Sequence, residues 1–251
     1  MIEVNEFQVF MLEIEALRLA WTIKPTSEDL NDYSFSVLRS GGPDGPWKLI
    51  AEDLDGFHLR DDSVNLYSHT RKYFYVLRVT DKRNHKHVDY GPRQLDFLPD
   101  SVGLELIRKK NVYLRTQTGM PVLLYVRKTF GQRCPNCWDE MKQRCSKAHC
   151  EVCYNTGFLG GYWKPVEMYI NEMTPKQEPA SVQGQSSSIN IQIETSNFPD
   201  ISSSDLIVYP QTGKRFRVAN KTKNTRLGSI ISQFVAITSV NPSDIDYLIG
   251  R

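Results

Sequence analysis

The chain has 251 residues and sets 31 Lys and Arg against 29 Asp and Glu, a formal net charge of +2, with 40% hydrophobic and 11% aromatic residues. Aromatics at that level need a core, which excludes disorder throughout. No run approaches the roughly 18 apolar residues of a membrane span; the longest, such as Met120–Val126, are strand-sized. The near-balanced charge removes the compositional argument for a dedicated nucleic-acid binder, which usually shows a clear basic excess.

The length fits two or three small units. The opening residues, Met1–Arg18, carry acids inside their apolar run and no basic leader, unlike a signal peptide. Ala16–Ile23 then alternates, with Leu17, Leu19, Trp21 and Ile23 on one face. Tyr33–Ser40 follows, and Gly41–Pro46 is a dense cluster of turn formers. Trp47–Ala51 reads as a short strand and Lys72–Thr80 as a long one. Short strands separated by turn signals predict a β-sandwich. His85 and His87 fall in a charged turn and read as a solvated hairpin tip.

These strands resemble a fibronectin type III module over roughly residues 5–95. The likeness rests on Trp21, on Tyr33 opening its strand, on Leu38–Ser40, and on the Tyr-x-x-Arg-Val of Tyr75–Val79. It implies that Tyr73 or Tyr75 anchors a corner. The pattern departs at Leu66–Tyr73, where the usual Pro is missing.

Pro99-Asp100-Ser101 predicts a helix start, with Asp100 or Ser101 as N-cap. Leu104, Leu106, Ile107, Val112 and Leu114 give an apolar stripe, and Gly119 a stop, so residues 102–116 read as a linker helix whose Arg108–Lys110 is a solvated face. Pro121–Arg127 is a strand feeding into the cysteines, and Val166–Ile170 is one leaving them. Thr174–Ser188 is almost free of apolar residues and reads as an exposed loop. The C-terminal strands are Ile189–Thr195, Asp205–Tyr209, Arg215–Ala219 and Ile230–Ser239, with a hairpin signal at Pro210–Gly213. The fold expected is mainly β. A sandwich covers 1–96, a linker helix 97–119, and a small barrel domain 120–251 that carries a zinc loop over about 131–163 and a polar loop over about 174–188.

All five cysteines fall within 20 residues, an odd and clustered set unlike a disulfide framework. Cys134, Cys137, Cys150 and Cys153 form CxxC-x12-CxxC. Two residues between paired cysteines let both sulfurs reach one ion from a tight turn, so the spacing predicts one structural Zn²⁺ per chain held by these four. Four thiolates close the coordination sphere and leave no position for a catalytic water. Cys145 and His149 are the competing ligands, Cys145 read as a free thiol. No GxSxG, HExxH, P-loop or GxGxxG motif occurs, and the expectation is a protein without catalytic activity.

Two function classes fit. Arg127, Lys128, Arg133, Lys142, Arg144 and Lys147, with Trp138, Tyr154, Phe158, Tyr162 and Trp163, could form a zinc-ribbon nucleic-acid module. Equally, those aromatics could pack a small subdomain that has little other core. The segment Cys134–Pro165, with Cys-Pro-x-Cys-Trp-Asp, Cys-x-x-Cys-Tyr-x-Thr-Gly-Phe and Gly-Gly-Tyr, resembles a sequence in virion proteins of tailed bacteriophages. The end of the chain, with Asp205–Val208, Thr212–Val218 and Asp244–Tyr247, is similar to small β-barrel proteins of the phage neck. The resemblance covers about residues 98–251. It implies a ring-forming head–tail connector subunit in the virion, assembled in the host cytoplasm. Its partners would be further copies of itself and neighbouring portal, neck or tail proteins, with non-specific contact to passing genomic DNA and none to membrane.

Overall fold

The computed structural model describes residues 1–13, 16–54, 56–64, 73–95, 101–147, 149–173, 190–227 and 229–250. The chain divides into two compact units, Met1–Pro99 with Phe130–Arg133, and Asp100–Thr129 with Cys134–Arg251. The second unit therefore begins at the helix, and four residues before the first cysteine belong to the first unit.

The first unit holds β1 (Val4–Glu13), β2 (Ala16–Ile23), β3 (Tyr33–Ser40), β4 (Lys48–Leu54), β5 (His58–Asp61), β6 (Phe74–Asp81) and β7 (His87–Gln94). They form two antiparallel sheets, in the orders β1-β2-β5 and β4-β3-β6-β7, a sandwich of the fibronectin type III-like kind. The period-two alternation of β2 drives Leu17, Leu19, Trp21 and Ile23 into the core, each no more than 2% exposed. Phe35, Val37, Tyr75, Leu77 and Val79 are buried on β3 and β6, which pair with Val37 opposite Leu77. Aromatic rings continue the core: Trp21 lies 5.8 Å from Phe35, Phe35 lies 5.2 Å from Phe57, and Phe57 meets Phe130 edge-on at 5.1 Å. Gln132 bridges Thr26 in parallel beside Phe130.

Tyr75 is the buried tyrosine of β6, and its hydroxyl donates to the Asp61 carboxylate at 2.8 Å. Arg39 donates to the same carboxylate at 2.7 Å, and Ser63 does so through its backbone N–H and its hydroxyl. Burial works against the Asp61 charge, but the Ser63, Tyr75 and Arg39 donors outweigh it and hold the carboxyl below its ordinary range. Tyr75 is thus anchored on a side chain, while the Tyr73 ring lies under the Arg39 guanidinium at 5.1 Å. Most of the stretch where the sequence departs from the fibronectin pattern lies outside the described residues. His85 sits in the turn between β6 and β7 and His87 opens β7, and Asp81 caps that turn through Arg83 N–H and the Asn84 amide.

The second unit opens with α1 (Ser101–Tyr113) and a π-helical turn (Leu114–Thr118). Then come β8 (Met120–Tyr125), β9 (Trp138–Asp139), β10 (Arg144–Cys145), β11 (Val166–Met173), β12 (Asn190–Ser196), β13 (Leu206–Val208), β14 (Arg215–Arg226) and β15 (Ser229–Ser239). Six of them close an antiparallel barrel in the order β11-β12-β15-β14-β13-β8. Closure removes most of the edge-pairing hazard of open sheets. Val122, Leu124, Met168, Ile170, Ile193, Ile201, Phe216, Val218, Val235 and Ile237 fill its interior.

Gly103, Ile107 and Leu114 are the buried residues of the helical segment, and Lys110 pairs with Glu194 of β12 at 2.6 Å. Of the two expected N-caps, Asp100 lies outside the described residues and Ser101 is already helical. Gly119 ends the helical segment for a steric reason, since a Cβ there would sit 1.9 Å from the Leu114 carbonyl oxygen. The polar stretch Thr174–Ser188 lies outside the described residues.

Asp205 locks the point where β8 leaves the barrel. Its carboxylate accepts the Arg127 N–H at 2.8 Å and the Ser202 N–H at 2.6 Å, and the residue is 1% exposed. Burial raises its pKa to about 6 against those two bonds. The folded state therefore holds an extra proton between the unfolded carboxyl value, about 3.9, and that raised value. The Asp205 contribution is complete below pH 4 and is lost as pH rises through 6. Urea denaturation of wild type and Asp205→Asn should show their stability difference moving against wild type by about 2 kcal/mol between pH 4 and 7. A difference that stays constant across that range would contradict the assignment.

Candidate metal centre

Between Cys134 and Pro165 the chain forms an arm with little regular structure, the two-residue ladder of β9 and β10 apart. Four side chains replace a conventional core there: Cys134, Cys137, Cys150 and Cys153, exposed by 1, 2, 3 and 0%. Their sulfurs all lie within 4.8 Å of one another, with Cys134 and Cys150 at 3.8 Å and Cys137 and Cys153 at 3.2 Å. A tetrahedral ion with Zn–S bonds of about 2.3 Å needs sulfurs about 3.8 Å apart. The Cys134–Cys150 pair has that separation and the Cys137–Cys153 pair is shorter, so the four sulfurs are close enough to share one ion. These four cysteines could hold a metal ion, and the sequence spacing placed all four.

Backbone hydrogen bonds build both knuckles. Trp138 N–H returns to the Cys134 carbonyl at 3.2 Å, and Tyr154 N–H to the Cys150 carbonyl at 2.8 Å, so the two CxxC turns close in the same way. Cys134 N–H reaches the Gly157 carbonyl at 3.0 Å and Ser146 N–H the Cys137 carbonyl at 2.7 Å, which brings the halves together. The Asn155 side chain accepts the Cys150 N–H at 3.1 Å. Gly161 adopts φ +66°, and a Cβ there would stand 2.6 Å from the Cys153 carbonyl oxygen, so only glycine lets the arm fold back.

Burial pushes the Cys134 and Cys137 thiols up from their ordinary value. Burial also opposes the Cys150 thiolate, but the N–H groups of Cys153 and Val152 and the neighbouring sulfurs outweigh it and bring that pKa to about 7. Backbone N–H groups aimed at sulfur stabilise thiolates, the form that ligates. The chemistry of the donor set is that of a soft cation in a closed shell.

Neither competing ligand belongs to the group of four. Cys145 packs against the cluster, half-buried on β10, and His149 is exposed. The aromatics divide. Phe158 and Tyr162 are buried, and Tyr162 packs with Tyr154, Leu206, Val208 and Val240. Trp163 lies under the Lys128 ammonium at 4.7 Å, and Lys128 donates to the Leu159 carbonyl at 2.6 Å. Phe158 and Tyr162 are therefore packing residues, and no stacking face for bases is formed by them.

Sequence reasoning missed the polar clamp behind the arm. Tyr162 donates to Asp246 at 3.3 Å, and Arg217 of β14 also binds that buried carboxylate. Asp139 is a second omission: its carboxylate accepts the Met141 and Lys142 N–H groups at 3.0 and 3.1 Å and shapes the tip of the arm. An Asp two residues before a turn is a local signal that could have revealed it.

No protein-family model, no curated protein and no solved structure matches this chain.

Proposed function

We propose that the chain is a ring-forming structural subunit of a tailed-phage neck, linking portal and tail, with one structural Zn²⁺ in its cysteine arm. The observation that carries the reading is one compact unit combining a closed six-stranded barrel with a buried four-thiol arm whose sequence resembles that of tailed-phage virion proteins. Zinc is the ion of choice because four thiolates with tetrahedral spacing suit a borderline-soft cation. The role is structural because the four donors saturate it and are 3% exposed or less, which leaves no site for a reacting water. Met1–Pro99 adds a second core of its own, which on this reading would decorate the outside of the ring.

A zinc-ribbon nucleic-acid binder is the competing reading. Its cations Lys142, Arg144 and Lys147 are exposed, but Phe158 and Tyr162 are committed to packing. Mass spectrometry and density maps of assembled particles test the choice. Stoichiometric presence as a ring is expected, with duplex binding weak and salt-sensitive at about 150 mM salt. Absence from particles together with submicromolar nucleic-acid binding that vanishes on Arg133→Ala, Lys142→Ala and Arg144→Ala would reverse it.

A further inference from the structure

Met141 is 97% exposed, far beyond any other exposed large apolar side chain described. It stands at the tip of the cysteine arm, between β9 and β10, in the turn that the Asp139 carboxylate holds. Gln143, at φ +49°, completes that turn. A flexible loop would carry such a side chain at an entropic cost on binding, whereas a turn fixed beside a buried sulfur cluster presents it preorganised. Methionine also adapts its shape to the cavity that receives it.

The same unit carries an open, groove-like cavity of about 280 Å³ on one face of α1 and the turn after it, lined by Arg108, Lys109, Val112, Tyr113, Thr116 and Gln117. Val112 is 51% exposed and Tyr113 42%, so its apolar surface faces solvent. Its rim is cationic. Arg108 and Lys109 share one carboxylate, Glu105, and Arg115 is exposed nearby. Surface pairs of that kind are weak and exchange readily for another carboxylate. The arm tip offers one: Glu140 immediately precedes Met141 and is exposed.

We infer that Met141 of one copy seats in the α1 cavity of a second copy, with Glu140 against Arg108 and Lys109. The occupant is another copy of this chain because knob, cavity and complementary charges all lie on it. A knob and a cavity at different places on one molecule make a head-to-tail contact, which closes into a ring when the rotation permits. The inference deepens the ring reading and rests on it for its biological setting, but self-association tests it separately.

Light scattering and sedimentation of the zinc-loaded 251-residue chain should show concentration-dependent association. Met141→Asp keeps a working cavity and Val112→Glu keeps a working tip. Each alone should weaken association at least ten-fold, with melting temperature and zinc content unchanged because both positions are exposed. Mixed one-to-one, the two variants should form a heterodimer that grows no further, because one working tip and one working cavity remain. Wild type should instead grow beyond a dimer, which a two-fold symmetric contact cannot do. Association of both variants within two-fold of wild type overturns the inference, as does a mixture that stays monomeric. A wild-type chain that is monomeric at roughly 200 µM also overturns it, since that concentration would populate any contact of micromolar strength. Rings in particles with these outcomes leave the neck reading standing and remove only this interface. Association through these faces by a chain absent from particles does the reverse.

Discussion

Serine in place of any one of Cys134, Cys137, Cys150 or Cys153 is expected to reduce bound zinc from one per chain to below a tenth and to unfold the arm. The four sulfurs are the arm's own core; among the described residues Phe158 is its other large apolar buried side chain, and Tyr162 packs on the barrel side. Structural zinc supplies about 10–16 kcal/mol in isolated fingers at neutral pH, far more than such a segment gains from packing. A hydroxyl in place of a thiolate removes one donor and leaves a buried polar group that cannot take its place. The barrel interior and the sandwich contain no cysteine, so their cores should persist while amide protection across 134–161 disappears. Cys145→Ser should keep the metal, because Cys145 stands outside the four-sulfur cluster. Elemental analysis and hydrogen exchange of the five single variants decide this. Loss of metal in Cys145→Ser with retention in Cys150→Ser would end the assignment.

The cysteine centre was legible because its information is local: two knuckles, each four residues long, with a spacing that metal chemistry restricts. The strands that alternate were legible for a similar reason, and Tyr33–Ser40 ends where its pattern ends. Other strands broke the pattern. β1 carries Glu6 and the exposed Phe10, so its sequence shows acids inside an apolar run and no clean alternation. β7 contains Gly91-Pro92, a pair that argues against a central strand; it lies at a sheet edge, where the missing donor costs little. β14 runs seven residues past Ala219 through Asn220–Arg226, a polar stretch without alternation, because β15 pairs with it to the end. Contacts between distant residues were not legible at all. Asp205 meets Arg127 78 positions away, and Tyr162 meets Asp246 across 84. Nothing in either neighbourhood announces its partner.

Trp21→Ala is expected to destabilise the first unit by about 3–5 kcal/mol, the range for removing a buried aromatic. The indole is 2% exposed and stands at the head of the aromatic series through Phe35 and Phe57 to Phe130. Deleting it leaves a cavity that β2 cannot collapse, since Leu19 and Ile23 on the same face are fully packed and their strand is held on both sides, by β1 and β5. Domain stabilities run at about 5–15 kcal/mol, so the loss is a large fraction of the total. Trp138 and Trp163 lie in the second unit and report on it separately in fluorescence-detected urea denaturation. One transition should move to markedly lower urea while the barrel's stays within about 0.5 kcal/mol, as distant sites do when they do not couple. A loss under about 1 kcal/mol would mean that the indole is not the buried anchor its geometry implies. Equal displacement of both transitions would mean that the two units unfold as one.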